Sequence, residues 1–356
     1  MKGKHYLIFS SDSKPGGISS MLKAHVIALM NDNNRITILI PEQSNIPKEL
    51  NIFIKKLGIN DDLLAIITFS KFIFYLSKII NTRLFKNIFA DVDGCFVHNA
   101  RLIKFVKSYT NKPIFAVNHT GKTSQKIFYK EADLIFSVNK KITNELIDFG
   151  IDESKCIYCP NALLEFPEEA IKKQSSKEIV IGALGRMVEK KGFEDFIKAL
   201  TIMKEKGYSF RAVIAGDGVL LNQLKDLATD LPELEFTGWI TNKNEFFKKI
   251  DIFCQPSLFE PFGLTIIEAM AMAIPVISTD CDGPRDIIVS EKNGFIIPIR
   301  NSAFMSQVII KLIGNSLLRN KIGEEGRKLI FKKYRINSLS VLLKKNIEKY
   351  YSEHSR

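Results

Sequence analysis

No stretch of the 356-residue chain offers the roughly 18 uninterrupted apolar residues of a membrane-spanning helix; the apolar reach 63–80 is cut by Thr68, Ser70, Lys71 and Ser77. The amino terminus passes from Lys4 and His5 straight into Tyr6-Leu7-Ile8-Phe9 and a Ser/Gly loop, an apolar core too short for a secretory signal. A cytoplasmic protein is therefore expected. Cysteine is scarce and odd in number: Cys95, Cys156, Cys159, Cys254 and Cys281. That argues against a disulfide framework and for small buried hydrophobes in a reducing compartment. Cys156 and Cys159 form the one close pair. They lie in a strand-like run, where residues three apart point to opposite faces, whereas a redox pair wants a helix amino terminus. No second Cys/His pair completes a zinc site, and neither metal nor cofactor is expected. Zinc-finger, helix-turn-helix and RNP signatures are missing too, so nucleic acid is not an expected partner.

Positive charge is present in excess, 51 Lys+Arg against 39 Asp+Glu for a net +12. Such a balance attracts nucleic acid, or else an anionic membrane face and phosphorylated substrates. The lysines are spread along the chain, as over 71–86, 122–141 and 328–345, which fits a solvated surface with an anionic membrane face as the functional reading.

Short β-type runs alternate with helical patterns from end to end, the signature of parallel α/β sheets. Strands are expected over 5–10, 35–40, 63–68, 94–99, 113–118, 134–138 and 156–159, with helices at 19–30 and 140–149 among the connections. The charged, non-periodic reach 165–177 reads as a linker between residues 1–164 and a second unit. The alternation resumes at 178–183 and continues through 211–215, 234–236, 252–255, 275–278 and 295–298. The second unit spans 178–335. A helix over 336–351, within a tail 336–356, lies beyond the last strand and is expected to cross back to the first unit.

The densest chemistry lies in residues 256–271, where Glu260-Pro261-Phe262-Gly263-Leu264 leads into an apolar helix over 264–273. Pro261 disfavours the α conformation at Glu260, so Glu260 belongs to the loop after a strand and the helix opens near Gly263. A helix amino terminus at the carboxyl edge of a parallel strand suits a phosphate, and glycine allows close approach. Glu268 follows on that apolar helix. A buried carboxylate needs donors, either vicinal ribose hydroxyls or an Arg or Lys elsewhere in the chain. Arg186 and Lys191 share the first strand-to-helix loop of the second unit, Gly185 to Gly192. A planar guanidinium and a compact ammonium together suit a diphosphate.

The Gly185-Arg186-x4-Lys191-Gly192 loop, Ala215-Gly216-Asp217-Gly218, Phe236-Thr237-Gly238-Trp239-Ile240 and the Glu260-x7-Glu268 segment follow one another as in family 4 retaining glycosyltransferases, which residues 178–330 resemble. The resemblance implies a GT-B fold, α/β, with two Rossmann-like β/α/β domains facing across a cleft. It implies that Arg186 and Lys191 grip a donor diphosphate, that Glu268 holds ribose hydroxyls and that Glu260 contacts the transferred sugar. Phe262, Gly263 and Leu264 would bring backbone to the donor sugar and phosphate, Gly216 would line the donor site, and the main chain around Trp239 and Ile240 would read the base. In the first unit the match is thinner. Gly16 and Gly17, in Lys14-Pro15-Gly16-Gly17-Ile18-Ser19, resemble the family's glycine-rich loop beside the donor phosphate, or else make an ordinary structural turn. His119 resembles the histidine that contacts the transferred sugar.

Two departures stand out. Cys281-Asp282-Gly283-Pro284-Arg285-Asp286 stands where the family often has Gly-Gly followed by Glu, and its Gly-Pro-Arg-Asp form resembles members with lipid-linked or polysaccharide acceptors carrying N-acetylhexosamine. Pro160-Asn161-Ala162 stands where Pro-Asn-Gly is commoner. The resemblance thus implies a retaining hexosyl- or N-acetylhexosaminyl-transferase (EC 2.4) that takes a nucleoside-diphosphate sugar, of the UDP type, to a glycan or lipid-linked acceptor in bacterial surface polysaccharide or lipopolysaccharide assembly. A peripheral position at the inner membrane face goes with it. The alternatives are a sugar-nucleotide epimerase of the same fold and a catalytically silent sugar-binding subunit.

Overall fold

A computed structural model describes residues 3–11, 16–70, 83–168 and 178–354. Lys14 and Pro15 of the glycine-rich loop, residues 71–82 of the apolar and basic reaches, and 169–177 of the expected linker lie outside the described residues. The chain forms two compact units, Met1–Leu164 with Arg335–Arg356, and Glu165–Tyr334.

In the first unit β1 (His5–Phe9), β2 (Arg35–Pro41), β3 (Leu64–Phe69), β4 (Gly94–Val97), β5 (Ile114–Asn118), β6 (Leu134–Ser137) and β7 (Cys156–Tyr158) make one parallel sheet in the order β3-β2-β1-β4-β5-β6-β7. The central strands read as unbroken apolar runs because both faces are covered. Leu7, Phe9, Cys95, Val97, Ala116 and Ile135 point into one core. Tyr6, Phe96, Phe115 and Phe136 point the other way, Phe96 lying 5.7, 5.2 and 6.1 Å from the other three ring centroids. The helix Gly17–Met30 and the carboxyl-terminal helix Ile336–His354 belong to this second face: His25 approaches Phe96, Tyr350 and Tyr351 approach Phe115, and the Ser340 hydroxyl donates to the Ala28 carbonyl at 2.6 Å.

The second unit has β8 (Val180–Leu184), β9 (Arg211–Ala215), β10 (Leu234–Gly238), β11 (Ile252–Gln255), β12 (Val276–Thr279) and β13 (Phe295–Ile297), parallel, in the order β10-β9-β8-β11-β12-β13. Its helices Phe193–Glu205 and Ser302–Ile313 share one core. On the helix Ser316–Lys333, Gly323 and Gly326 permit close approach to Ala273 and Met270, where a Cβ on Gly323 would fall 2.0 Å from the Ala273 carbonyl oxygen.

The two sheets are the α/β architecture expected, with strand ends displaced by a residue or two. The start of the expected linker is not free chain. Arg327 donates to the Pro167 and Glu168 carbonyls at 2.7 and 3.0 Å, and Phe166 packs edge-on against Phe331 at 5.2 Å. The helix expected over 264–273 ends at Ala271, because Ala273 adopts a left-handed φ of 61°.

In each sheet the order reverses beside the first strand, between β1 and β4 and between β8 and β11. Ligands of open parallel sheets bind at the carboxyl edge of such a switch point. The aromatic layer behind the first switch point is well packed, so Phe96→Ala is expected to cost about 3–5 kcal/mol through its cavity, read as a lowered urea midpoint.

Candidate functional site

The loops after β8, β9, β11 and β12 are pressed backbone to backbone at the carboxyl edge of the second sheet, and glycine makes each approach possible. Gly192, at φ 64°, faces Pro256, where an added Cβ would lie 2.0 Å from the carbonyl oxygen. Gly216 meets the Gly185 carbonyl in the same way at 1.9 Å, and Gly283 sits against the Phe262 backbone. Backbone bonds complete the weave: Leu258 N–H donates to the Lys190 carbonyl at 2.8 Å and Gly283 N–H to that of Glu260 at 3.0 Å. Gly216 thus packs the loop after β9 onto the loop after β8.

At the switch point Lys191 donates to the Glu260 carboxylate at 2.6 Å, both side chains being less than a fifth exposed. Gln255, buried at the end of β11, orients that carboxylate. Its amide donates to Ser257 Oγ at 2.7 Å and to Glu260 Oε2 at 3.3 Å, while Gln255 Oε1 accepts from the Thr265 hydroxyl at 2.9 Å. Arg186 lies on the same loop as Lys191 and is exposed. Gly263 takes φ 105° before the helix Leu264–Ala271, a left-handed turn that suits glycine. Phe262 turns its side chain into the core against Tyr334 at 6.0 Å, leaving only its backbone for a ligand.

Glu268 has a charged partner from another helix. It is half-buried and already paired: Lys243, on the helix Lys243–Lys249, donates to Oε1 at 2.7 Å and to Oε2 at 3.0 Å. Of the two readings open in the sequence, the ion pair is present, and it places Lys243 beside the site. The spacing from 243 to 268 gave no sign of it, because the two residues meet only through the fold. Each carboxylate oxygen still has a second lone pair, so the ammonium does not exhaust its capacity to accept. Trp239 is 60% exposed, a surface aromatic rather than a core one, and Ile240 is half-buried beside it.

In the first unit Gly16 and Gly17 open the helix Gly17–Met30, with Ser20 N–H donating to the Gly16 carbonyl at 3.0 Å. His119, at the end of β5, is half-buried and does not stand alone. Its Nε2 lies 3.1 Å from His98 Nδ1, and His98 Nε2 lies 3.3 Å from His25 Nδ1. Sequence reasoning singled out His119 and missed the other two. The available signals were His98 at the carboxyl end of β4 and His25 within the apolar run Ala24–Met30 of the helix 17–30. Burial holds His25 down to about 3, His119 to about 4 and His98 well below the usual imidazole range.

All five cysteines are free and buried, and burial raises the Cys156 thiol to about 11 and that of Cys159 to about 12. Among the described residues no cluster of three His, Cys, Asp or Glu could hold a metal ion, and no helix is long and apolar enough to cross a membrane.

Residues 166–329 match the family described as Glycosyl transferases group 1. The capsular polysaccharide biosynthesis glycosyltransferase CapM of Staphylococcus aureus is 30% identical over 171 residues, 47% of this chain and 45% of CapM. The match thus spans about half the length of that relative. An uncharacterized glycosyltransferase of Haemophilus influenzae is 25% identical over 80% of this chain and 75% of its own length. Among solved structures, Anabaena HepE in complex with UDP and glucose superposes with a TM-score of 0.79 at 15% identity, covering 97% of this chain and all of HepE. The likeness to HepE is one of fold, and the fold is GT-B.

The histidine line also carries a stability signature. Imidazoles that stay neutral when folded take up protons on unfolding, so their contribution is complete above pH 6.5 and is lost as pH falls toward their folded values. Between pH 7 and 5 the urea midpoint is expected to fall, and to fall less in His25→Leu; equal midpoints for the parent at both pH values would contradict this.

Proposed function

We propose that the chain is a retaining glycosyltransferase that moves a hexosyl or N-acetylhexosaminyl group from a UDP-sugar to a hydroxyl of a glycan or lipid-linked acceptor in surface polysaccharide assembly. The observation that carries the reading is the Lys191–Glu260 pair at the switch point of the second sheet, with Arg186 on the same loop. The name of CapM and the UDP in HepE support the acceptor class and the donor base. The excess of basic residues suits a phosphate-bearing acceptor or a peripheral place at the inner membrane face.

An ammonium has three N–H donors. Lys191 spends one on Glu260, leaving two for phosphate oxygens, and Arg186 adds a planar fork able to hold two more. Glu268 accepts from ribose hydroxyls while Lys243 holds it in place. Glu260 and His119 serve the transferred sugar, and the backbone from Phe262 to Leu264 serves the sugar and phosphate. Gly16 and Gly17 serve as the glycine-rich loop for the donor phosphate, while the main chain at Trp239 and Ile240 meets the base.

As the glycosidic bond breaks, positive charge grows at the anomeric carbon and negative charge on the departing diphosphate. Preorganised cations stabilise that separation most strongly at the transition state. A double displacement would need a carboxylate nucleophile against the far face of the sugar. Glu260 is engaged by Lys191 and Gln255, which favours same-face substitution, with the leaving phosphate oxygen taking the acceptor proton.

Transfer kinetics test the clamp. Arg186→Ala and Lys191→Ala are each expected to lower kcat at saturating donor by about 10²-fold or more, with Arg186→Lys recovering part of the loss. Circular dichroism controls for folding. If only the donor KM rises, the clamp binds substrate without driving the chemistry.

A further inference from the structure

His25, His98 and His119 lie in line in the first unit, one from the helix Gly17–Met30 and the others from the carboxyl ends of β4 and β5. Successive ring centroids are 5.0 and 5.2 Å apart. The nitrogens pair in sequence, His25 Nδ1 with His98 Nε2 at 3.3 Å and His98 Nδ1 with His119 Nε2 at 3.1 Å. Burial keeps all three rings neutral at pH 7, so each carries one N–H and one lone pair.

Each link needs an N–H on one side and a lone pair on the other. The protons must therefore all point the same way along the line, inward to His25 or outward to His119. The inner end decides between them. His25 Nε2 is buried with no hydrogen-bond partner among the described residues. Protons pointing inward would leave an N–H there, and orphaned buried N–H groups are rarer in native proteins than undersatisfied acceptors. Outward-pointing protons leave only a lone pair at that end. They put the hydrogen on Nδ1 of His25, of His98 and of His119.

We propose that His25 and His98 are positioning residues that fix His119 as the Nδ1–H tautomer, so that it meets a sugar hydroxyl as a neutral hydrogen-bond donor. The substrate half of this inference rests on the glycosyltransferase reading above. His119 accepts from His98 through Nε2 and donates outward through Nδ1, and no proton changes hands during transfer. An Nε2–H His119 would face the substrate with a lone pair instead and could only accept from the same hydroxyl. The helix 17–30, which the sequence connects to the glycine turn at Gly16 and Gly17, thereby also sets the hydrogen-bonding sense of a residue at the end of β5.

Long-range proton–nitrogen correlation spectra of the full chain, labelled with nitrogen-15 histidine at pH 7 and without nucleotide, read the tautomer directly. The relay requires a protonated Nδ1 and a bare Nε2 at His119. His98→Phe should collapse this to a mixture of tautomers and lower kcat/KM about ten-fold, the scale of one lost hydrogen bond. An Nε2–H His119 in an active parent overturns the relay, as does an unchanged His119 spectrum in a folded His98→Phe. A parent that transfers no sugar while His119 shows Nδ1–H overturns the glycosyltransferase reading instead.

Discussion

The pairing of Lys191 with Glu260 is the constraint around which the second unit is arranged. It ties the loop after β8 to the loop after β11 at the one place in that sheet where the strand order reverses. Glycines bring these two loops, and the neighbouring loops after β9 and β12, into close backbone contact. Gly192 admits Pro256, Gly216 admits Gly185, and Gly283 admits Phe262. A Cβ at any of the three would meet backbone rather than a side chain that could turn aside. Once the loops are in register, Gln255 can orient Glu260 from β11 and hold Thr265 in the first turn of the following helix. The motif glycines thus act first on the fold and through it on the charges.

The two units prepare their polar groups by opposite means. In the second, charge is kept and compensated: Lys191 faces Glu260 and Lys243 faces Glu268, with Arg186 left exposed. Partial exposure makes the Lys243–Glu268 pair a small contributor to stability, so its value lies in aiming the carboxylate. In the first, charge is removed, and three imidazoles, those of His25 and His98 buried and that of His119 half-buried, are held neutral and hydrogen-bonded to one another. A site that grips an anion needs the first arrangement, while a site that meets hydroxyl groups is served by the second.

The architecture was legible because parallel strands covered on both faces appear as apolar runs, and the turns between them carry Gly, Pro and Asn. The central strands could be read that way, whereas β10, Leu-Glu-Phe-Thr-Gly, shows an alternating pattern, and the loop bearing Arg186 and Lys191 stood out by its charges. What the sequence hid was convergence. Lys243 reaches Glu268 from a different helix, and His25 reaches His98 across 73 positions. No local pattern encodes such meetings, which depend on where two elements settle in three dimensions. Glu268 looked solitary for the same reason: its own helix is apolar, and its partner comes from elsewhere. The exposure of Trp239 was equally hidden, since one aromatic beside a glycine reads alike in a core and on a surface.

The proposed chemistry requires the carboxyl edge of the second sheet to hold a nucleoside diphosphate. Calorimetric titration of UDP into the parent chain and into Glu268→Ala measures this most directly. The parent is expected to bind UDP, and the variant to bind it about ten-fold or more weakly, since hydrogen bonds to a charged group are worth about 1.5–3 kcal/mol. Equal affinity in a folded variant, or no binding heat with the parent, would contradict it.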